Sequence, residues 1–422
     1  MGSVWVGLLA GAVASATDVG WVEHEVDSDV AGGVAIAVGD LDRDDDPDLV
    51  ACGQSSNLLV WYESDGSGGV TRHLIAGGYS GSHSAHVVDL DRDGDLDLVT
   101  CAFVADDVSW WENDSAGGFT RHVICNNLDG AVTVCAADVD SDADTDVLAA
   151  AYGASEVCWW ENDGAQAFTK RVVRDGYLNA HSVAVADLDR DQDQDVVGAA
   201  YGADVVSWWE NDGQQQWTEH VIDPALDAAD FVLATDFDLD DDMDVIAAGA
   251  NADDIVWYEN DSGGFTEHGI DADIDCPWGM AAADVDRDGD RDLVAAAYLG
   301  DELVWYENQE SLGFVRHTIA TGLDGACAVA VVDLDLDLDL DVAVAAWQAG
   351  RVAWWEQVPA GVDEAPARPL LPVRRATFFP PAGGAVFDAA GRKVAGAETA
   401  RFAPGVYFMP GRQVAGRWIV IR

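Results

Sequence analysis

Between residues 181 and 222, short apolar runs alternate with polar punctuation. HSVAVAD (181–187) is small and apolar, and a strongly acidic stretch follows it. VVGAAYG (196–202) is a second apolar run, and VVSWWEN (205–211) a third, rich in β-branched and aromatic residues. A DG turn then leads into WTEHVI (217–222), where apolar and polar side chains alternate. Short runs of this composition, bounded by Gly, Asp and Asn, predict four strands.

The same order of runs returns seven times. The acidic segments begin at Asp40, Asp89, Asp138, Asp187, Asp236, Asp284 and Asp333, in steps of 49, 49, 49, 49, 48 and 49 residues. A Trp-Trp/Tyr-Glu element keeps that register at Trp61, Trp110, Trp159, Trp208, Trp257, Trp305 and Trp354. So does an aromatic-Thr-x-His-like element at Trp21, Val70, Phe119, Phe168, Trp217, Phe265 and Phe314. Four strands per repeat of this length predict an all-β, seven-bladed β-propeller. The small residues of the first strand, such as Ala184, Val185 and Ala186, suit the crowded central axis. The paired aromatics of the third strand point to opposite faces, so each packs against a neighbouring blade.

The register also predicts how the ring closes. WVEH (21–24) precedes the first acidic loop, and the last repeat, ending near Gln357, has three strands. The strand around residues 20–26 is therefore expected to supply the missing fourth, which leaves no open sheet edge. Residues 20–358 read as this propeller. A Pro-rich linker follows at 359–376, and 377–422 read as a small C-terminal β domain with basic residues in place of acidic ones. Residues 1–19 read as a possible secretory signal peptide, with an apolar stretch and an Ala14-Ser15-Ala16 cleavage-like end but no Lys or Arg at the start. No stretch is long and apolar enough to span a membrane.

Charge narrows the partners. The net charge is −57, and the acidic loops hold 37 of the 78 Asp and Glu residues. Such a surface repels nucleic acid and anionic membranes. Seven cysteines is an odd count without a C-x-x-C pair, so neither a disulfide framework nor a zinc site is expected. The loop DLDRDGDLDLV (89–99) packs five aspartates into nine residues, which should repel one another. Its central Gly94 suits a tight loop with positive φ. Carboxylates gathered in this way need a hard cation, and calcium is the expected one. An EF-hand does not fit, because its twelfth position requires Glu and here holds Thr100, and because the flanks are strands.

The acidic loop with its flanking strands resembles the FG-GAP and VCBS repeat proteins, whose propellers carry calcium in the loop joining the first two strands of a blade. The resemblance covers residues 20–358. It implies up to seven structural calcium ions, each held by the side chains at loop positions one, three, five and nine and by the carbonyl of position seven. Those side chains are Asp40, Asp42, Asp44 and Asp48; Asp89, Asp91, Asp93 and Asp97; Asp138, Asp140, Asp142 and Asp146; Asp187, Asp189, Asp191 and Asp195. The last three loops supply Asp236, Asp238, Asp240 and Asp244; Asp284, Asp286, Asp288 and Asp292; Asp333, Asp335, Asp337 and Asp341. The sixth position favours Gly, present as Gly94 and Gly289. Asp45 and Asp241 tolerate the left-handed conformation better than Ala143, Gln192 and Leu338. The C-terminal piece resembles the sorting domain of type IX secretion substrates, on VFDAAGRKV (386–394), PGVYF (404–408) and WIVIR (418–422). That implies a secreted or cell-surface protein that engages secretion machinery.

The propeller topology puts two other loop sets on the face opposite the acidic loops. Six residues before each acidic loop stand Val34, His83, Val132, His181, Asp230, Trp278 and Cys327. Fourteen residues after its first Asp stand Gln54, Phe103, Tyr152, Tyr201, Ala250, Tyr298 and Trp347. Phe103, Tyr152, Tyr201, Tyr298, Trp347, His83, His181, Asp230 and Trp278 are candidates for an aromatic collar that stacks sugars or grips a peptide; the alternative is that these rings pack between blades. Three functions fit. One is a binding or adhesion module for an extracellular glycan or protein. Another is a carbohydrate lyase or dehydratase using His83, His181 and Asp230 as acid–base groups. The third is a purely structural surface protein.

Overall fold

The structure is a computed structural model. It describes residues 19–359, except 116, 262, 263 and 310–312, together with four short strands beyond residue 384. Its described residues are strands, turns and bends, without a helix. The chain divides into a unit of Met1–Val362 and one of Asp363–Arg422.

The first unit is a seven-bladed propeller of antiparallel four-stranded sheets. Blade four is representative: Ala180–Ala186, Asp195–Ala200, Val205–Asn211 and Trp217–Asp223 pair in sequence order. Every residue of its second strand is buried, as in all seven blades. This explains why those strands, after their leading Asp, are runs of Val, Leu, Ile, Ala and small residues. The aromatic pair of the third strand divides as its alternation requires: Trp110 packs towards Trp160 of the next blade, and Trp111 towards Trp61 of the previous one.

Ring closure follows the expectation. Val19–Asp27 pairs with Arg351–Pro359, the third strand of blade seven. The borrowed strand reproduces the blade's own contacts. His24 stacks on Trp354 at 4.3 Å and its Nε2 lies 2.8 Å from Glu356, while Asp27 accepts from the Tyr62 hydroxyl of blade one at 2.8 Å.

Two bulges recur in each blade, and neither is visible in the alternation of residues. One shifts the register of strand four against strand three. It turns the apolar residue after the His motif (Ile75, Ile124, Val173, Ile222, Ile270 or Ile319, for example) back to the inter-blade core. The other interrupts strand one and leaves Val34, His83, Val132, His181, Asp230, Trp278 and Cys327 unpaired. A bulge re-aims a side chain, and here it does so at one level of every blade.

The seven cysteines are all free. No helix among the described residues is long and apolar enough to cross a membrane. In the second unit, Lys393–Gly396, Ala385–Asp388, Gly405–Met409 and Arg417–Ile421 form a four-stranded antiparallel sheet in that order. The expected leader (1–18 of it) and the linker from residue 360 onward lie outside the described residues; of the stretches carrying the sorting-domain resemblance, 386–388, 393–394, 405–408 and 418–421 fall in the strands of this sheet.

Candidate functional site

The acidic loops join strands one and two of each blade and share one local design. The position-nine carboxylate is buried and accepts two backbone N–H groups. In blade four, Asp195 Oδ2 takes Leu188 N at 2.9 Å and Oδ1 takes Asn211 N at 2.8 Å. The pair of bonds recurs at Asp48, Asp97, Asp146, Asp244, Asp292 and Asp341. Burial pushes these carboxyls up, to about 6 at Asp48, Asp97 and Asp244 and to about 7 at Asp146, Asp195, Asp292 and Asp341, against the two N–H donors. The position-five carboxylate caps the N–H of position seven in every loop.

Position six has positive φ in all seven loops: Gly94 (92°) and Gly289 (105°), but also Asp45 (71°), Ala143 (79°), Gln192 (80°), Asp241 (72°) and Leu338 (82°). The loop geometry thus overrides residue preference, because the N–H of position six must reach the position-one carboxylate, as Leu338 N does to Asp333 at 3.0 Å. Position four is left-handed too, at Arg43, Arg92, Ser141, Arg190, Leu239, Arg287 and Leu336. This aims several of its arginines at the position-seven aspartate of the next loop: Arg43 at Asp95, Arg92 at Asp144 (3.2 Å) and Arg190 at Asp242.

In the first four loops, ligand oxygens of positions one, three and nine lie within 4.8 Å of one another; in the fifth, those of Asp236, Asp238 and Asp240 do. Several inward oxygens are buried without a hydrogen-bond partner, among them Asp42 Oδ1, Asp89 Oδ1, Asp138 Oδ1 and Asp286 Oδ2. Converging, desolvated carboxylates with free lone pairs fit a hard divalent cation. These clusters can hold metal ions.

Sequence reasoning missed one participant. The Glu of the Trp-Trp/Tyr-Glu element stands beside loop position three. At Asp91, burial, Asp93 and Glu112 together raise the carboxyl, and the equivalent glutamate acts on Asp42, Asp140, Asp189, Asp238, Asp286 and Asp335. In six blades a fourth-strand His holds this Glu, as His122 Nε2 holds Glu112 at 2.7 Å, and stacks on the Trp two residues before the Glu, Trp110 at 4.5 Å. Blade three substitutes Arg171, bonded to Glu161 at 2.6 and 2.9 Å. The conserved register of Trp, Glu and His along the repeats was the available clue.

On the opposite face, all nine collar candidates meet. Phe103 lies 6.0 Å from His83 and 6.4 Å from Tyr152; Tyr152 lies 6.1 Å from Tyr201; both tyrosines lie about 6 Å from His181. His181 is 6.4 Å from Trp278, which stacks on Trp347 at 5.7 Å and meets Tyr298 edge-on at 4.5 Å. The bulged residues His83, His181, Asp230, Trp278 and Cys327 line a cavity of about 200 Å³ at the channel mouth. The other ring-bearing residues stand around it on the loops between strands two and three. Phe103 and Tyr152 also pack on the inter-blade core, so packing and collar are not exclusive at those positions.

His181 Nδ1 lies 3.0 Å from Asp230 Oδ1 and 2.9 Å from the Asp230 carbonyl. Burial pushes the His181 imidazole down, but the Asp230 carboxylate prevails and its pKa is raised. His83 has no carboxylate. Burial, with the nearby His181, lowers it to about 4, and its Nδ1 lies 2.7 Å from the Val132 carbonyl.

Fold and loops together define a propeller whose blades each carry an acidic, metal-competent loop on one face. A family model for the FG-GAP-like repeat matches residues 40–100, 138–198, 187–247, 236–295 and 284–344, and the chain belongs to that family. No curated protein matches the sequence. Among solved structures, virginiamycin B lyase from Staphylococcus aureus is similar at 10% identity over 81% of this chain and 100% of its own, with a TM-score of 0.59. A streptogramin B lyase matches at 10% identity over 81% and 98%, with a TM-score of 0.59. BBS1N, solved in complex with ARL6DN, matches at 12% identity over 81% and 98%, with a TM-score of 0.56. At these identities the likeness is one of fold.

Proposed function

We propose that this is a secreted or cell-surface, calcium-stabilised propeller that binds an extracellular glycan or protein through its aromatic collar. The observation that carries the reading is the collar itself. Seven independent bulges bring unlike residues to one channel mouth, and the neighbouring loops surround it with aromatic rings. Rings of this kind offer contact area at small entropic cost, and a few polar groups set orientation. The acidic loops repeat almost identically and offer little to distinguish partners, so their proposed role is to bind calcium and stiffen the blades. The sorting-domain resemblance of residues 377–422 and the leader-like residues 1–19 support export.

The test is a screen of calcium-loaded protein on arrays of glycans and extracellular proteins, with Tyr201→Ala and Trp278→Ala in parallel. Ligand capture is expected to weaken in both variants while calcium-dependent melting stays near wild type. Variants that unfold, or that capture ligand as wild type does, would reassign these rings to packing. The His181–Asp230 pair favours a second reading, a lyase or dehydratase acting on a carbohydrate. His181→Gln would then abolish turnover of a substrate that still binds.

A further inference from the structure

Both ends of the ring are acidic, and they differ in their basic residues. The acidic loops contain Arg43, Arg92, Arg190, Arg287 and Arg291. The loops of the collar face contain neither lysine nor arginine. They carry Asp204, Asp227, Asp253, Asp275, Asp301 and Asp324 around the half of the rim that holds Tyr201, Trp278 and Tyr298. Burial raises the Tyr201 hydroxyl, and the carboxylates of Asp230 and Asp227 add to the effect.

Several polar groups inside the cavity are engaged within the protein. Thr133 Oγ1 donates to the His181 carbonyl at 2.6 Å, the hydroxyl oxygens of Ser84 and Ser182 accept Val134 N and Val232 N, and Asp230 holds His181. A cation needs only the field and the ring faces. Loop tips on the same face expose Val104 (63%), Leu178 (51%) and Leu299 (59%), aliphatic contacts suited to a protein surface.

Resting on the collar reading above, we propose that the collar face docks a protein partner by receiving one of its basic side chains, a lysine or arginine, among the rings at the channel mouth. Ring faces supply cation–π attraction, and the aspartate rim draws the positive group in and excludes acidic surfaces.

The probes are three capped pentapeptides that differ only at the centre, in lysine, norleucine or glutamate. They are titrated into the calcium-loaded full chain by ligand-observed NMR. The lysine peptide is expected to bind about tenfold more tightly than the norleucine peptide, the difference shrinking as salt rises towards 1 M. Trp278→Leu should remove most of that preference. So should Asp227→Asn combined with Asp275→Asn, a change at two exposed carboxylates that leaves the core intact. Equal binding of lysine and norleucine peptides, both weakened by Trp278→Leu, would overturn the proposal while leaving a collar-binding function standing. Lysine binding that ignores both sets of substitutions is attraction to the acidic surface at large and also overturns it. So does the absence of lysine binding in a protein that still captures a glycan through the collar.

Discussion

Replacing Asp195 by Ala separates the structural work of an acidic loop from its metal work. The carboxylate is buried and accepts Leu188 N at 2.9 Å and Asn211 N at 2.8 Å. Alanine leaves both buried donors without an acceptor, at roughly 1–3 kcal/mol each. Part of that loss is returned, because burial disfavours this carboxylate and raises its pKa to about 7. A net destabilisation of about 3 kcal/mol is expected. At the 2–4 °C per kcal/mol typical of large domains, that is a fall in melting temperature of about 6–12 °C. The loss needs no metal, so it should appear in excess chelator as well as in calcium. Asp189→Ala is the contrast. Its carboxylate accepts only the exposed Asp191 N, at 3.2 Å, and burial with the Asp191 carboxylate raises its pKa. In chelator that variant should melt within about 2 °C of wild type, since a surface hydrogen bond is lost and repulsion is relieved. In calcium it should lose stability, because one of the proposed ligands is gone. Differential scanning calorimetry of wild type and both variants, in calcium and in chelator, supplies the six curves needed. An Asp195→Ala loss that vanishes in chelator, or matching losses from both variants, refutes the reasoning.

Other outcomes follow from the same geometry. Leu338→Gly should raise stability by about 0.5–1 kcal/mol, the left-handed penalty of about 1–2 kcal/mol less the extra unfolded freedom of Gly, because Leu338 sits at φ 82° and is 78% exposed. Gly94→Leu, at φ 92°, should move the melting temperature the other way; no difference between the two would dismiss backbone strain as the cause. Deleting residues 1–27 should open the strand edge of Arg351–Pro359 and strongly destabilise the ring; unchanged melting would refute closure through Val19–Asp27. His83 should titrate near 4 and His181 above the ordinary value of 6.5 when their ring protons are followed by NMR. Since the folded His83 binds protons less readily than the unfolded one, its contribution to stability is full above pH 6.5 and is lost as pH falls towards 4. A His83 that titrates near 6.5 would contradict its burial at the channel mouth.

The sequence alone determined the blades. A strict period and three markers in one register leave little choice of architecture, because each repeat is one supersecondary unit that cannot bury its faces alone. Closure through residues 20–26 follows from counting strands. The acidic loops are legible because carboxylates at alternate positions have no other evident way to be neutralised. Tertiary structure decided where the unlike residues go. Val34, His83, Val132, His181, Asp230, Trp278 and Cys327 share no chemistry that marks a bulge. The extra unpaired residue exists only relative to the neighbouring strand, and period-two alternation is blind to it. Leu338, Gln192 and Ala143 take left-handed backbone against their preference because hydrogen bonds from position six to position one, and two more at the buried position nine, hold the loop from both ends. The His–Glu–Trp stack beside each loop is likewise made across two strands, Trp110 facing His122 and Glu112 facing Thr120 in the paired register, so only folding brings its members together.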